Sequence, residues 1–271
     1  MGEVQTRSAF DVRQAGGADD PLVMLAHGFG CDQHMWRLVA PILAETCRVV
    51  SFDFIGAGGS DQRRWDPERY AGLEGYAADV AEICRDLDLR DVVFVGHSVS
   101  AMVGVLAARL VPDHISRLVL VAPSPCYVDD PAGPYRGGFS RGDIDELLES
   151  LASNYLGWSA AMAPVIMGNP DRPELGAELT NSFCRMDPEV ARVFARTTFL
   201  SDSRADLAGV TVPTLILQSA QDVIASPEVG RYVHDRIHGS RLVVLDSIGH
   251  CPQLSAPEQT AAAILPFVHA P

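Results

Sequence analysis

The sequence predicts an α/β fold: a mostly parallel central sheet flanked by helices, with a helical cap inserted late in the chain. Three observations carry this. Short apolar runs of strand length alternate with amphipathic helical stretches through the first half and again near the end. Between about residues 129 and 201 the alternation stops and only helical patterns remain. The length of 271 residues suits one large domain, or one domain carrying an insertion.

In order along the chain, apolar runs predict strands over 21–26, 47–53, 91–95, 118–122, 214–218 and 242–245. Helical periodicity lies between them, over 33–43, 73–87, 98–110, 227–237 and 256–268. The interrupting stretch opens on the turn-rich Asp130-Pro-Ala-Gly-Pro134 and then reads as helices over 143–154, 155–167, 173–186 and 187–200. It is too long for a single crossover connection. The expected organisation is therefore a core over 1–128, a cap over 129–201 and the remainder of the core over 202–271.

Composition removes several classes of function. Apolar residues make up 47% of the chain, enough for a substantial core, yet no apolar run approaches a membrane span. Residues Met1 to Arg7 carry no basic segment followed by an apolar one, so a cytoplasmic location is expected. A formal net charge of -14 repels phosphate backbones and anionic membranes. Neither nucleic acid nor membrane is an expected partner. All 21 basic residues are arginine, which excludes a Schiff-base lysine and a P-loop lysine. The six cysteines form no C-x-x-C pair and read as free thiols in a reducing compartment.

Chemistry concentrates in three places. Val95-Gly96-His97-Ser98-Val99-Ser100 follows a strand and opens a helix, the position of the G-x-S-x-G nucleophile elbow. Such a sharp turn needs small neighbours. Gly96 meets that need on one side, and Ser100 stands where the second glycine usually does. Serine is also a favoured helix N-cap, but the strand–motif–helix context makes Ser98 the candidate nucleophile. The first buried strand ends in His27-Gly28-Phe29-Gly30. That loop and the residue after the nucleophile supply oxyanion N–H groups in folds built on this elbow, here Phe29 and Val99, with His27 shaping the loop.

The acid and the base follow in chain order. The strand over 214–218 leads into Ser219-Ala-Gln-Asp222, which makes Asp222 the candidate acid. Asp246 lies too near the base to come from a separate loop, and Asp202 precedes the strand. The last strand runs into Gly249-His250 before the final helix, the place for a general base. His234 and His238 sit one helical turn apart like a zinc pair, but Gly239 reads as a helix C-cap and no third ligand is evident. No metal and no cofactor are expected.

These residues resemble the branch of the α/β-hydrolase superfamily that holds RsbQ and the strigolactone and karrikin receptors. The resemblance rests on His27–Gly30, on Phe52-Asp-Phe-Ile-Gly-Ala-Gly-Gly-Ser-Asp61 and on Gly96-His-Ser-Val-Ser-Ala-Met102. It continues in Tyr135-Arg-Gly-Gly-Phe139, Asn154-Tyr-Leu-Gly-Trp158, Ala163-Pro164, Arg196-Thr-Thr-Phe199 and the run from Gly249 to Pro257. It implies an α/β-hydrolase fold with a V-shaped four-helix cap over a deep apolar pocket. By motif match it places Phe29, Phe139, Trp158, Phe194 and Phe199 around that pocket. Met162 is the sixth expected pocket residue, standing where the receptors carry an aromatic one. Two functions compete. One is a hydrolase of a small hydrophobic, butenolide-like ester or lactone, working through an acyl-serine intermediate. The other is a signalling protein that uses the same residues to sense or process a ligand and engage a regulatory protein partner.

Overall fold

Seven strands form one sheet: β1 (Arg13–Ala15), β2 (Leu22–Ala26), β3 (Arg48–Ser51), β4 (Val92–His97), β5 (Ile115–Val121), β6 (Thr214–Gln221) and β7 (Arg241–Ile248). The computed structural model describes residues 2–270. The strand order is β1-β3-β2-β4-β5-β6-β7, and only β1 runs antiparallel to its neighbour. Every residue of β2 and of β4 is buried. That is why both read as unbroken apolar runs rather than as alternating ones.

Helices cover the sheet and connect it. They are α1 (Glu3–Ala9), α2 (Ala40–Leu43), α3 (Leu73–Asp86), α4 (Val99–Leu110), α5 (Arg141–Ser153), α6 (Tyr155–Met167), α7 (Pro173–Arg185), α8 (Pro188–Leu200), α9 (Pro227–Arg236), α10 (Pro252–Ser255) and α11 (Pro257–Val268). The expected α/β-hydrolase fold is thus present. Between β5 and β6 lie four consecutive helices, α5 to α8, and their ends carry local signals. Ser140 and Asp143 close a capping box on α5, and the Asn154 side chain accepts from Gly157 N at 3.0 Å to start α6. Gly168, at φ 64°, stops α6 in the left-handed region. Pro173 and Pro188 sit at the first positions of α7 and α8.

One expected element differs. The predicted helix over 33–43 is a 3₁₀ turn (Gln33–Trp36) followed by the four-residue α2. Pro41 explains the break, since it has no N–H for the Arg37 carbonyl and its ring crowds that group.

The chain leaves β2 to form β3 on one side and returns to form β4 on the other, so the order reverses between β2 and β4. In open sheets the crevice at such a switch point, beyond the carboxyl ends of the strands, is where ligands bind. The loop after β2 and the turn after β4 meet there.

Candidate active site

Ser98 holds the turn between β4 and α4 at φ 56° and ψ -122°, outside the conformations that a side chain normally allows. The strain is held by its surroundings. Ser98 N donates to the Val121 carbonyl at 2.8 Å. A Cβ at Gly96 would stand 2.2 Å from the Ser100 carbonyl, so that position must be glycine. The departure at position 100 has its own use. Ser100 is fully buried, and its hydroxyl donates to the His27 carbonyl, tying the turn to the loop after β2.

The three predicted polar residues form a continuous chain. Ser98 Oγ lies 2.7 Å from His250 Nε2, and His250 Nδ1 lies 2.8 Å from Asp222 Oδ2. The other carboxylate oxygen, Oδ1, accepts the amides of Ile224 at 2.8 Å and Ala225 at 3.1 Å. Asp222 is thereby held by its own loop and aimed at the imidazole. All three side chains are buried. Asp246, by contrast, is exposed on β7.

His250 is positioned by its backbone. Gly249, at φ 91°, donates its amide to the Gln221 carbonyl at 2.7 Å, and a Cβ there would meet the Met167 carbonyl at 1.8 Å. The His250 amide donates to the Ile166 carbonyl of α6 at 2.9 Å. One inserted helix is therefore bonded directly to the loop that carries the imidazole.

His27 and His97 serve the scaffold. His27 Nδ1 faces the Gly28 carbonyl at 2.9 Å and its Nε2 accepts from Phe54 N at 3.2 Å, which pins the loop that holds Phe29. His97 Nε2 donates to the His250 carbonyl at 2.8 Å. Burial, reinforced by repulsion from His250, pushes the His97 pKa down to about 3, so this imidazole stays neutral. The amide of Val99 opens α4 with no side-chain cap on it, and Phe29 lies between Gly28 and Gly30 on the facing loop.

The cavity beside Ser98 is apolar and tight, leaving about 30 Å³ for the centre of a water-sized sphere. Phe29, Phe183, Phe199, Ile166, Leu179 and Ile224 supply its greasy wall. Of the six pocket residues expected, Phe29 and Phe199 line it. Trp158 and Phe194 stand behind them, with ring centroids 6.2 Å and 5.6 Å from Phe29. Trp158, Phe194, Phe139 and Met162 are not lining residues, which corrects the expectation for all four. The Phe139 backbone is held in a bridge to Val128, with its amide on the Tyr127 carbonyl at 3.2 Å. Met162 packs half-buried against the core, and Ile166, one turn further along α6, takes the wall instead. Most of the wall escapes a reading of the sequence, including Ile166, Leu179, Ile224, Phe183, Tyr127, Thr198, Cys31 and Cys251. Phe183 fills the space that Gly30 leaves open, where a Cβ would lie 2.1 Å from its ring. Tyr127 places its hydroxyl 3.3 Å from Ser98 Oγ, and burial pushes its pKa up to about 12. The thiols of Cys31 and Cys251 are raised by burial as well, Cys31 to about 12, so neither supplies a thiolate near neutrality.

The chain belongs to the alpha/beta hydrolase family, whose model matches residues 23–263. It is 40% identical over 266 residues to a probable esterase of Oryza sativa subsp. japonica, spanning 98% of this chain and 97% of that protein. It is 39% identical over 250 residues to the karrikin insensitive 2 receptor IA of Petunia hybrida, spanning 92% and 90%. Among solved structures, a hydrolase from Oleispira antarctica superposes with a TM-score of 0.97 at 40% identity, over 100% of this chain and 98% of that one. The resemblance to the receptor branch read from the motifs is borne out by these relatives. Hydrolysis is the class of activity they support. Among the described residues, no helix is long and apolar enough to cross a membrane.

Proposed function

We propose that this chain hydrolyses a small hydrophobic ester or lactone, of the butenolide type, through an acyl-serine intermediate. The observation that carries the proposal is the unbroken buried chain from Asp222 through His250 to Ser98. His250 Nε2 takes the hydroxyl proton as Ser98 Oγ attacks the carbonyl carbon. Asp222 holds the Nδ1–H tautomer and stabilises the imidazolium that forms. The amides of Phe29 and Val99 receive the negative charge on the substrate oxygen. When the tetrahedral intermediate collapses, His250 returns the proton to the leaving oxygen. A water molecule then repeats the sequence on the acyl group and frees Ser98. The residues over 129–201 act as the cap that excludes bulk water. The scattered free thiols fit a reducing, cytoplasmic setting.

A receptor-like reading is favoured by one feature, the 2.9 Å bond from the His250 amide to the inserted helix α6. It links the site to a surface that a regulatory protein partner could read. A single experiment separates the readings: a fluorogenic butenolide ester, followed by turnover and intact mass together, with Ser98→Ala as control. Fast multiple turnover lost in the variant supports the hydrolase. One slow turnover that leaves an adduct on Ser98 or His250 supports the receptor. Turnover that survives Ser98→Ala refutes the nucleophile assignment.

A further inference from the structure

One hydroxyl of the cavity wall is used neither by the chemistry above nor by any partner among the described residues. Thr198, on α8, lines the cavity at 1% exposure, and its hydroxyl is buried with no hydrogen-bond partner among the described residues. A threonine inside a helix has an easy way out, because its hydroxyl can bond back to the carbonyl four residues earlier. Other helical hydroxyls of this chain take it: Ser159 to Tyr155 at 2.7 Å, Thr180 to Gly176 at 2.9 Å and Thr260 to Ala256 at 2.9 Å. The adjacent Thr197 is satisfied too, by the Tyr70 carbonyl at 2.7 Å. Thr198 alone of these leaves its hydroxyl unpaired, on a residue that lines the cavity beside Ser98. Buried polar groups are rarely left without a partner unless something else supplies one.

We infer that Thr198 is a specificity-determining residue, whose hydroxyl donates a hydrogen bond to a second oxygen on the acyl part of the substrate. This rests on the hydrolase reading above and narrows its substrate class. The preferred ester or lactone carries an ether, hydroxyl or carbonyl oxygen beyond the scissile carbonyl, on a short acyl group. A purely hydrocarbon acyl group leaves the threonine hydroxyl buried and unpaired in the complex. A site built around such a hydrogen bond rejects the analogue that lacks it.

Two methyl esters of equal length test this, methyl 3-methoxypropanoate and methyl pentanoate. Their kcat/KM ratio is compared between the wild type, Thr198→Val and Thr198→Ser. The intrinsic reactivity difference of the two esters is common to all three proteins and cancels. The expected result is a ratio that falls about tenfold in Thr198→Val and is largely kept in Thr198→Ser. The same esters are titrated by ligand-observed NMR onto Ser98→Ala, with and without Thr198→Val, so that binding is read apart from turnover. There too the affinity ratio is expected to fall about tenfold on loss of the hydroxyl. Absence of turnover with the binding ratio shifted would sink the hydrolase reading and leave the threonine assignment standing. An unchanged binding ratio in the Ser98→Ala background overturns the assignment, whatever the turnover does.

Discussion

Replacing Asp222 by asparagine separates geometry from chemistry at this site, because the carboxylate does two jobs with two different oxygens. Oδ1 accepts the amides of Ile224 and Ala225 at 2.8 Å and 3.1 Å, and Oδ2 faces His250 Nδ1 at 2.8 Å. Asparagine has only one acceptor oxygen. If its NH₂ faced the loop, two donors would confront two donors, so the oxygen must stay with the amides. The NH₂ then faces His250 and donates to Nδ1. That forces the imidazole proton onto Nε2, the nitrogen 2.7 Å from Ser98 Oγ, and the base is lost with its shape intact. Wrong-tautomer substitutions of this kind lower kcat by about 10⁴, or about 5.4 kcal/mol of transition-state stabilisation. Both loop amides keep their acceptor, so stability should change by less than ~1 kcal/mol, a melting shift within about 3 °C. The assay is hydrolysis of 4-nitrophenyl acetate alongside a thermal melt. A folded Asp222→Asn protein that keeps more than a tenth of wild-type kcat/KM refutes the tautomer argument.

Three further outcomes follow from the same geometry. Gly249→Ala must place a Cβ where the Met167 carbonyl already lies, at a left-handed φ of 91°, and neither obstacle is a flexible side chain. It should cost about 2 kcal/mol or more and at least tenfold in kcat, read by urea denaturation and ester turnover, and wild-type values in both would count against it. Ser100→Ala leaves the His27 carbonyl without its donor in a buried turn, so a loss of roughly 1–3 kcal/mol is expected in the same denaturation assay, whereas Ser100→Gly should not recover it. His97 has a folded pKa of about 3, depressed from 6.5 by burial. Above pH 6.5 both states hold it neutral and its contribution to stability is complete. As pH falls below 6.5 the unfolded chain takes up a proton that the folded chain refuses, removing up to ~1.4 kcal/mol per pH unit. Between pH 7 and pH 5 the wild type should therefore lose roughly 2 kcal/mol more than His97→Gln, and parallel pH profiles would exclude this role.

The parts of the fold that announce themselves in the sequence are those whose own local physics decides them. β2 and β4 are buried on both faces and so read as continuous apolar runs. The four inserted helices carry their start signals in the chain, caps at Ser140 and Asn154 and first-turn prolines at Pro173 and Pro188. β1 carries no such signal. Its three residues are all exposed, and only pairing with β3 makes them a strand. The positions of Ser98, Asp222 and His250 are legible because each follows a strand in a fixed order along the chain. The cavity wall is not. Phe183 and Ile166 reach the site through the packing of α6 and α7, and helical periodicity says only that one face is buried, not against what. Phe139 departs from its expected place for the same reason: an aromatic in a matching motif shows similarity of sequence, while a backbone bridge decides where the ring goes.

The bond between the His250 amide and Ile166 gives the site a sense of time. On the proposed acyl-serine cycle, acylation and deacylation need the same imidazole in the same place, so lifting α6 after the first step would stall the second. A ligand whose acyl group wedges the roof open would then be kept rather than released, and the duration of that hold would be set by how fast the helix settles back. The difference between a catalyst and a latch in this scaffold need not reside in the reactive residues at all, but in one main-chain contact 2.9 Å long.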